Sequence, residues 1–263
     1  MKRVYSLSEL PSEPSRFVGC TAVIPAAGKG TRLGGSCPKA LYVVAGKTLL
    51  EWVSLPLMPY CDHFVYVSAP DAADAIRATA EEIVPGRYEI AIQPEAKGMG
   101  DAVLRAEQLV HSDICLVTWI DQIAVADATI SGCFSLQALA PEASLIMPTV
   151  VKPDPYIQFV REERNMRIIE VRQKREGDHL DPIGENDCGL FLFRSQDLFR
   201  SLRGSASGLI GRKTEEMNLL PIIPAMESVG DGIFTVRIES ESEAVGVNTP
   251  QDAEMLAHYL SGK

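Results

Sequence analysis

The apolar run Cys20-Thr21-Ala22-Val23-Ile24 passes directly into a stretch of small residues, Ala26-Ala27-Gly28-Lys29-Gly30-Thr31-Arg32-Leu33-Gly34-Gly35. The first part reads as a buried strand, because a strand covered on both faces is a near-continuous apolar run. The second part reads as a loop whose glycines let backbone N–H groups approach an anion closely. Arg32 and Lys39 add fixed positive charge to that loop, and Pro38 precedes the lysine. Small residues, then Thr-Arg, then Pro-Lys point to a nucleoside-triphosphate site.

Two other phosphate loops are excluded by single residues. A dinucleotide fingerprint starting at Gly28 needs its third glycine at position 33, which is leucine. A Walker A loop ending in Gly46-Lys47-Thr48 needs a glycine five residues before Gly46, where Leu41 stands. The segment from Val43 to Lys47 reads instead as a short strand and turn leading into a helix from Thr48 to Leu57.

Strand and helix patterns alternate through the first half. The strands are expected at 20–25, 63–68, 88–92, 114–119 and 144–149. The helices are expected at 48–57, 72–84, 99–110 and 127–139, with Asp71 placed to cap the second. Such alternation implies a mostly parallel sheet with right-handed crossovers, and ligands at the carboxyl ends of its strands. The loop 26–39 and Asp121 both lie at such ends. After Pro153-Asp154-Pro155 the pattern changes. Strands are expected at 157–161, 167–172, 187–193 and 233–237, and helices at 195–203, 214–227 and 249–261. A long polar loop spans 173–186, and Gly204–Gly208 reads as flexible. Loops of that length are commonly functional. Thr249 and Pro250 read as the N-cap and first residue of the last helix.

The 263 residues suffice for one large domain, and a hydrophobic share of 46% supports a substantial core. One domain over 18–263 is expected, with a subdomain at about 150–232. Residues 1–17 form an extended arm, either a disordered tail or a strap or dimer contact. No run of 18 apolar residues suggests a membrane span, and the start lacks the apolar stretch of a signal peptide. Six cysteines occur without a C-x-x-C pair, which suits a reducing cytoplasm. A formal net charge of −10 argues against a nucleic-acid partner, which needs a basic face.

The stretch Ala26–Leu41 resembles the signature loop, often written G-x-G-T-R-(x)n-P-K, of the nucleotidyltransferases that make nucleotide sugars. The likeness is strongest to the uridylyltransferase domain acting on N-acetylglucosamine 1-phosphate. It extends to Gln93-Pro94-Glu95-Ala96-Lys97-Gly98-Met99, similar to the family's base-recognition segment. It extends further to Asp121, to Glu185-Asn186-Asp187-Cys188-Gly189 on the acceptor side, and to Gly246-Val247-Asn248. Met99, Ile120 and Asp187 stand where the family usually has Thr, Gly and Asn.

The resemblance implies a Rossmann-like three-layer α/β/α domain with a mostly parallel sheet and an inserted acceptor-binding β subdomain. It also implies a role for each matched residue. Ala26, Ala27, Gly28, Gly30 and Thr31 would bind the nucleotide, with Gln93 and Gly98 on the base. Arg32 and Lys39 would be the catalytic cations, and Asp121 and Asn248 would hold Mg²⁺. Lys174 and Arg175 are candidates for gripping the acceptor phosphate, beside Glu185 and Asp187 on the acceptor strand.

The implied partners are a nucleoside triphosphate, UTP or CTP favoured, and a phosphorylated small-molecule acceptor, foremost a sugar 1-phosphate. Two other readings stay open. One is cytidylyl transfer to a non-sugar phosphate or phosphonate. The other is a regulator that binds nucleotide without turnover. Some relatives carry a fused acetyltransferase domain, and a chain ending at Lys263 is expected to lack that activity.

Overall fold

The computed structural model describes residues 2–14, 19–35 and 37–262. In chain order, β1 (Val4–Ser6) is followed by β2 (Cys20–Pro25), the two-residue strands β3 (Val43–Val44) and β4 (Lys47–Thr48), and α1 (Leu49–Ser54). Then come β5 (His63–Ser68), α2 (Ala73–Ile83), β6 (Tyr88–Ile92), α3 (Met99–Arg105), β7 (Ile114–Thr118) and α4 (Asp127–Leu139). The second half holds β8 (Leu145–Pro153), β9 (Ile157–Arg161), β10 (Ile168–Gln173), β11 (Ile183–Asp187), β12 (Leu190–Arg194) and α5 (Ser195–Gly204). It closes with α6 (Ile223–Met226), β13 (Ile233–Ile238) and α7 (Pro250–Ser261).

One sheet runs in the order β10-β9-β11-β8-β12-β7-β2-β5-β6, with β13 on β8 and β1 on β13. Its central part is mostly parallel. Strands β1, β13, β8, β7, β2, β5 and β6 share one direction, and β12 alone opposes them there. The antiparallel strands β9, β10 and β11 extend the sheet beyond β8.

The alternation of side chains along β2 divides the core. Ala22 and Ile24 pack with Leu49, Ile76, Cys133 and Leu256 from α1, α2, α4 and α7. Val23 packs on the opposite face with Val103, Leu198 and Ile223 from α3, α5 and α6. The result is a Rossmann-like α/β/α sandwich, since a strand with both faces apolar must be covered twice.

Strands β11 and β12 follow the same edge of β8. Asp187 pairs with Thr149 and Leu192 with Ile146, so two extra residues are taken up at Cys188–Gly189. Gly189 has φ +67° there, and an added Cβ would run into Gln122 and Trp119. A glycine is required for that break.

Several local expectations are corrected. Asp71 does not cap α2; the preceding residue is Ala72, and no side chain caps the helix. The helix expected at 48–57 ends at Ser54, and Pro56 falls in a following 3-10 turn. The helix expected at 99–110 is α3 plus a separate turn at Glu107–Leu109. The helix expected at 214–227 is reduced to a turn at Leu220–Ile222 and the short α6. Pro221 and Pro224 each lack the N–H that a longer helix would use. The polar loop 173–186 is interrupted by a 3-10 turn at Lys174–Glu176 and ends in β11. Of the arm, residues 1 and 15–17 lie outside the described residues. The rest supplies β1, paired in parallel with β13.

Candidate active site

The loop after β2 is drawn tight at both ends. The N–H of Ala26 donates to Val67 O at 2.7 Å, and the N–H of Lys39 donates to Gly28 O at 3.0 Å. Gly30 has φ +63°, and a Cβ there would lie 3.2 Å from Lys39 Cα. Glycine therefore permits both the left-handed turn and the close passage of the chain. Leu33 and Gly35 donate back to Gly30 O, closing a turn around Thr31–Leu33. Among the described residues, the N–H groups of Gly28, Lys29 and Gly30 donate to no protein acceptor. Three free donors beside two cations are what an anion needs.

Four of the predicted residues converge at the mouth of this loop. Lys39 Nζ lies 2.6 Å from Asp121 Oδ2 and donates to Asn248 Oδ1 at 3.0 Å. Arg32 Nη2 donates to the same Asn248 oxygen at 2.9 Å. Side-chain exposure is 13% for Lys39 and 18% for Asp121, so the pair is only partly in water. Asp121 follows β7, and its carbonyl accepts from Val247 N–H at 3.0 Å. That bond holds the segment carrying Asn248 against it. A Cβ on Gly246 would come within 3.1 Å of the Asp121 carboxyl carbon. Asn248 sits just before α7, whose Thr249 accepts from the N–H of Asp252 and whose Pro250 is the first helical residue. The capping box thus fixes Asn248 in position. Ile120, in place of the family's Gly, is buried in the core under Asp121.

Gln93 and Gly98 meet in a second cluster. The Gln93 amide nitrogen donates to Gly98 O at 3.0 Å and to Asp101 Oδ2 at 2.8 Å. Gly98 has φ +97°, and an added Cβ would lie 2.6 Å from Met217 O. The strand-like contact behind it is closed by Met217 N–H to Lys97 O and by Gly100 N–H to Met217 O, both 2.7 Å. Met99 packs partly buried against the core on the α3 face.

The acceptor-side candidates fall on two elements, Lys174 and Arg175 on the 3-10 turn after β10 and Glu185 and Asp187 on β11. Glu185 is buried, and both its oxygens are engaged: Arg161 Nε and Nη2 donate at 2.6 and 2.8 Å, and the Thr149 hydroxyl at 2.7 Å. Burial raises its carboxyl pKa, but the Arg161 guanidinium outweighs that and holds it below the usual range. Lys174 is paired with Asp154 at 2.7 Å, and Arg175 is paired with Glu216. Asp187 is buried and accepts from Gly189 N–H at 2.9 Å. Burial pushes its carboxyl up to about 6.

Glu176 ties this side to the Gly98 loop. It accepts from the Thr214 hydroxyl at 2.6 Å, the Lys213 N–H at 3.0 Å and the Asn218 amide at 3.0 Å. Burial opposes its ionisation, but these donors overcome it and hold the carboxyl at about 2.

Sequence reasoning did not find Asp101, Arg161 or Glu176. Glu185 stands opposite Phe159 once β9 and β11 pair, which brings Arg161, two residues further along β9, within reach of it. Asp101 lies eight positions after Gln93, a separation with no periodic signal.

Among the described residues no helix is long and apolar enough to cross a membrane. Five of the six cysteines are buried and all six are free.

Residues 22–177 match the MobA-like NTP transferase domain, and the chain belongs to that family. By class it is a nucleotidyltransferase. It is 26% identical over 230 residues to the bifunctional protein GlmU of Lactobacillus gasseri, covering 86% of this chain and 48% of that protein. It is 29% identical over 236 residues to the bifunctional protein GlmU of Limosilactobacillus fermentum, covering 88% and 50%. The chain thus spans about half the length of these curated relatives. Among solved structures, UDP-glucose pyrophosphorylase complexed with UDP-glucose superposes with a TM-score of 0.67 at 16% identity. That match covers 93% of this chain and all of the other, and shows a shared fold.

Proposed function

We propose that the chain transfers a nucleoside monophosphate from a pyrimidine nucleoside triphosphate to a sugar 1-phosphate, releasing pyrophosphate. The observation that carries this is the Lys39 ammonium held between Asp121 Oδ2 and Asn248 Oδ1, beside a loop with three free N–H donors. Packing alone does not collect that much charge and unsatisfied polarity in one place.

The same two oxygens suit a hard dication. They already converge on one cation, and Gly246 leaves open the space a Cβ would fill beside them. Mg²⁺ is commonly held by one or two protein oxygens plus substrate phosphates. Asp121 and Asn248 would hold it, and bound there it would supply neutralising charge to the phosphates. The remaining work falls to the chain itself. Arg32 and the amides of Gly28–Gly30 bind the outer phosphates. Lys39, released from Asp121, faces the charge that grows on the α-phosphate. No protein nucleophile is needed, because the acceptor phosphate is already ionised. Positioning and charge stabilisation then account for the rate.

Pyrophosphate release tests this, with UTP, CTP, ATP, GTP and dTTP crossed against sugar 1-phosphates and other phosphomonoesters. Release with one pyrimidine triphosphate and one sugar 1-phosphate is expected. Lys39→Ala should lower turnover by ~10²-fold or more, the scale for one lost electrostatic stabiliser. A near-normal rate in that variant would remove Lys39 from the mechanism.

The engaged state of Glu185, Lys174 and Arg175 favours a second reading of the acceptor. Each already has a partner within the chain, which leaves room for a non-sugar phosphate or phosphonate. The crossed acceptors decide between the two.

A further inference from the structure

Gln93 is buried, and its amide is not free to turn. Both hydrogens of its nitrogen are used, one by Gly98 O at 3.0 Å and one by Asp101 Oδ2 at 2.8 Å. The carbonyl oxygen of the same amide has no partner among the described residues. Gly98 O cannot move away, since it also accepts from Ala102 N–H at 3.1 Å and its loop is pressed against Met217. Asp101 is fixed as well: its second oxygen receives Arg105 Nη2 at 3.2 Å, one helical turn on. An ionised carboxylate only accepts. Turning the amide over would set its oxygen against two acceptors, which disfavours that state by roughly a hundredfold or more.

We propose that Asp101 is a positioning residue for base choice: it locks the Gln93 amide so that only its carbonyl oxygen can face a nucleobase. This rests on the reading that Gln93 and Gly98 take the base of the triphosphate. A reader locked in this way is an acceptor and nothing else. It admits a base edge that presents an N–H there and rejects one that presents a lone pair. The two pyrimidines differ in that respect, since N3 donates in uracil and accepts in cytosine. An unlocked glutamine turns to suit either, because a half-turn of its amide exchanges the donor NH₂ and the acceptor oxygen. Sites built to hydrogen-bond one donor pattern discriminate strongly, because the wrong partner leaves buried groups unpaired.

The test is the ratio of dissociation constants for UTP and CTP, measured calorimetrically with Mg²⁺ on the full chain. Wild-type protein is expected to separate the two by about tenfold or more. In Asp101→Asn, Arg105 keeps the remaining oxygen and turns the new NH₂ toward Gln93. That donor invites the flipped amide, and the ratio should fall to within about threefold of unity. Asp101→Ala takes away one of the two acceptors without adding a donor and leaves Gly98 O in place, so it should shift the ratio the same way by less, which serves should the Asn variant fold poorly. In a Gln93→Ala background, Asp101→Asn should leave the ratio where Gln93→Ala put it, because the aspartate acts through the glutamine.

An Asp101→Asn protein with the wild-type ratio overturns the proposal. So does a ratio that shifts equally with and without Gln93, and so does a wild type that binds both triphosphates alike. A wild type that binds neither triphosphate overturns the nucleotidyl-transfer reading itself, which is a separate outcome.

Discussion

Asp187 shows how one substitution alters local physics. Its carboxyl is buried at the end of β11, and burial lifts its pKa from 3.8 to about 6. A carboxyl raised on folding stabilises the native state while protonated. That contribution is complete below about pH 4 and is lost as pH rises through about 6. The loss amounts to up to roughly 3 kcal/mol. Asp187→Asn removes the titration, while its amide oxygen still accepts from Gly189. Chemical denaturation at pH 4.5 and pH 7 should therefore show a flatter pH dependence in the variant than in the wild type. Equal slopes would show that Asp187 does not titrate in this window. At this scale the sequence was informative where a residue's role is local. Arg32 and Lys39 stand in one short loop, and the structure brings them to Asp121 and Asn248. It was uninformative where a partner is remote in the chain. Glu185 reads as an acceptor contact until the pairing of β9 with β11 delivers Arg161 to it.

At the scale of elements, the segment 211–218 shows why the start of the helix expected over 214–227 does not form. Within it Glu215 N–H donates to Gly211 O and Gly211 N–H to Glu216 O, but Met217 bonds outward to Lys97 and Gly100, and Asn218 N–H donates to Leu209 O. Long-range partners override helix propensity, and no local pattern announces them. The segment is held from the other side by Glu176. Removing that carboxylate in Glu176→Ala strands the Thr214 hydroxyl, the Asn218 amide and the Lys213 N–H. Unpaired buried groups cost about 1–3 kcal/mol each, so a loss of about 2–4 kcal/mol after partial resolvation is expected in urea unfolding. The same variant should weaken triphosphate binding, because Met217 braces the Gly98 loop. Gly98→Ala strikes that contact directly, setting a Cβ 2.6 Å from a backbone oxygen at φ +97°. It should lower the affinity for triphosphate more than Glu176→Ala does, by calorimetry under matched conditions. An unchanged affinity in Gly98→Ala would detach this loop from nucleotide binding.

For the whole molecule, the alternating first half was legible because each strand of a doubly covered sheet carries its own apolar signature. The closure of the sheet was not, because it is made by the chain's two ends. Strand β13 pairs in parallel with β8, and β1 from the N-terminal arm pairs with β13. Three residues of a polar arm give no strand signal, yet their surroundings fix them. Leu7 and Leu10 pack on the core at α4, where Gly132 makes room: a Cβ there would come within 2.6 Å of the Leu7 side chain. Arg3 lies over the ring of Phe234 at 5.0 Å and 3.7 Å from buried Glu227. The described residues 2–14 run as a strap over their own chain through Arg3, β1, Leu7 and Leu10. Deleting them would uncover apolar surface on α4, free an edge of β13 and leave Glu227 with Arg167 at 3.8 Å as its remaining guanidinium. Partial burial of two leucines plus one buried ion pair is worth about 2–4 kcal/mol. A truncated chain starting at Gly19 should melt several degrees lower, at roughly 2–4 °C per kcal/mol for a chain of this size. Because the strap touches none of Arg32, Lys39, Asp121 or Asn248, pyrophosphate release well below the melting temperature should persist. Truncation without thermal cost would show that β1 adds nothing to the sheet it joins. Loss of turnover with the fold intact would instead bind the strap to the geometry of the cleft.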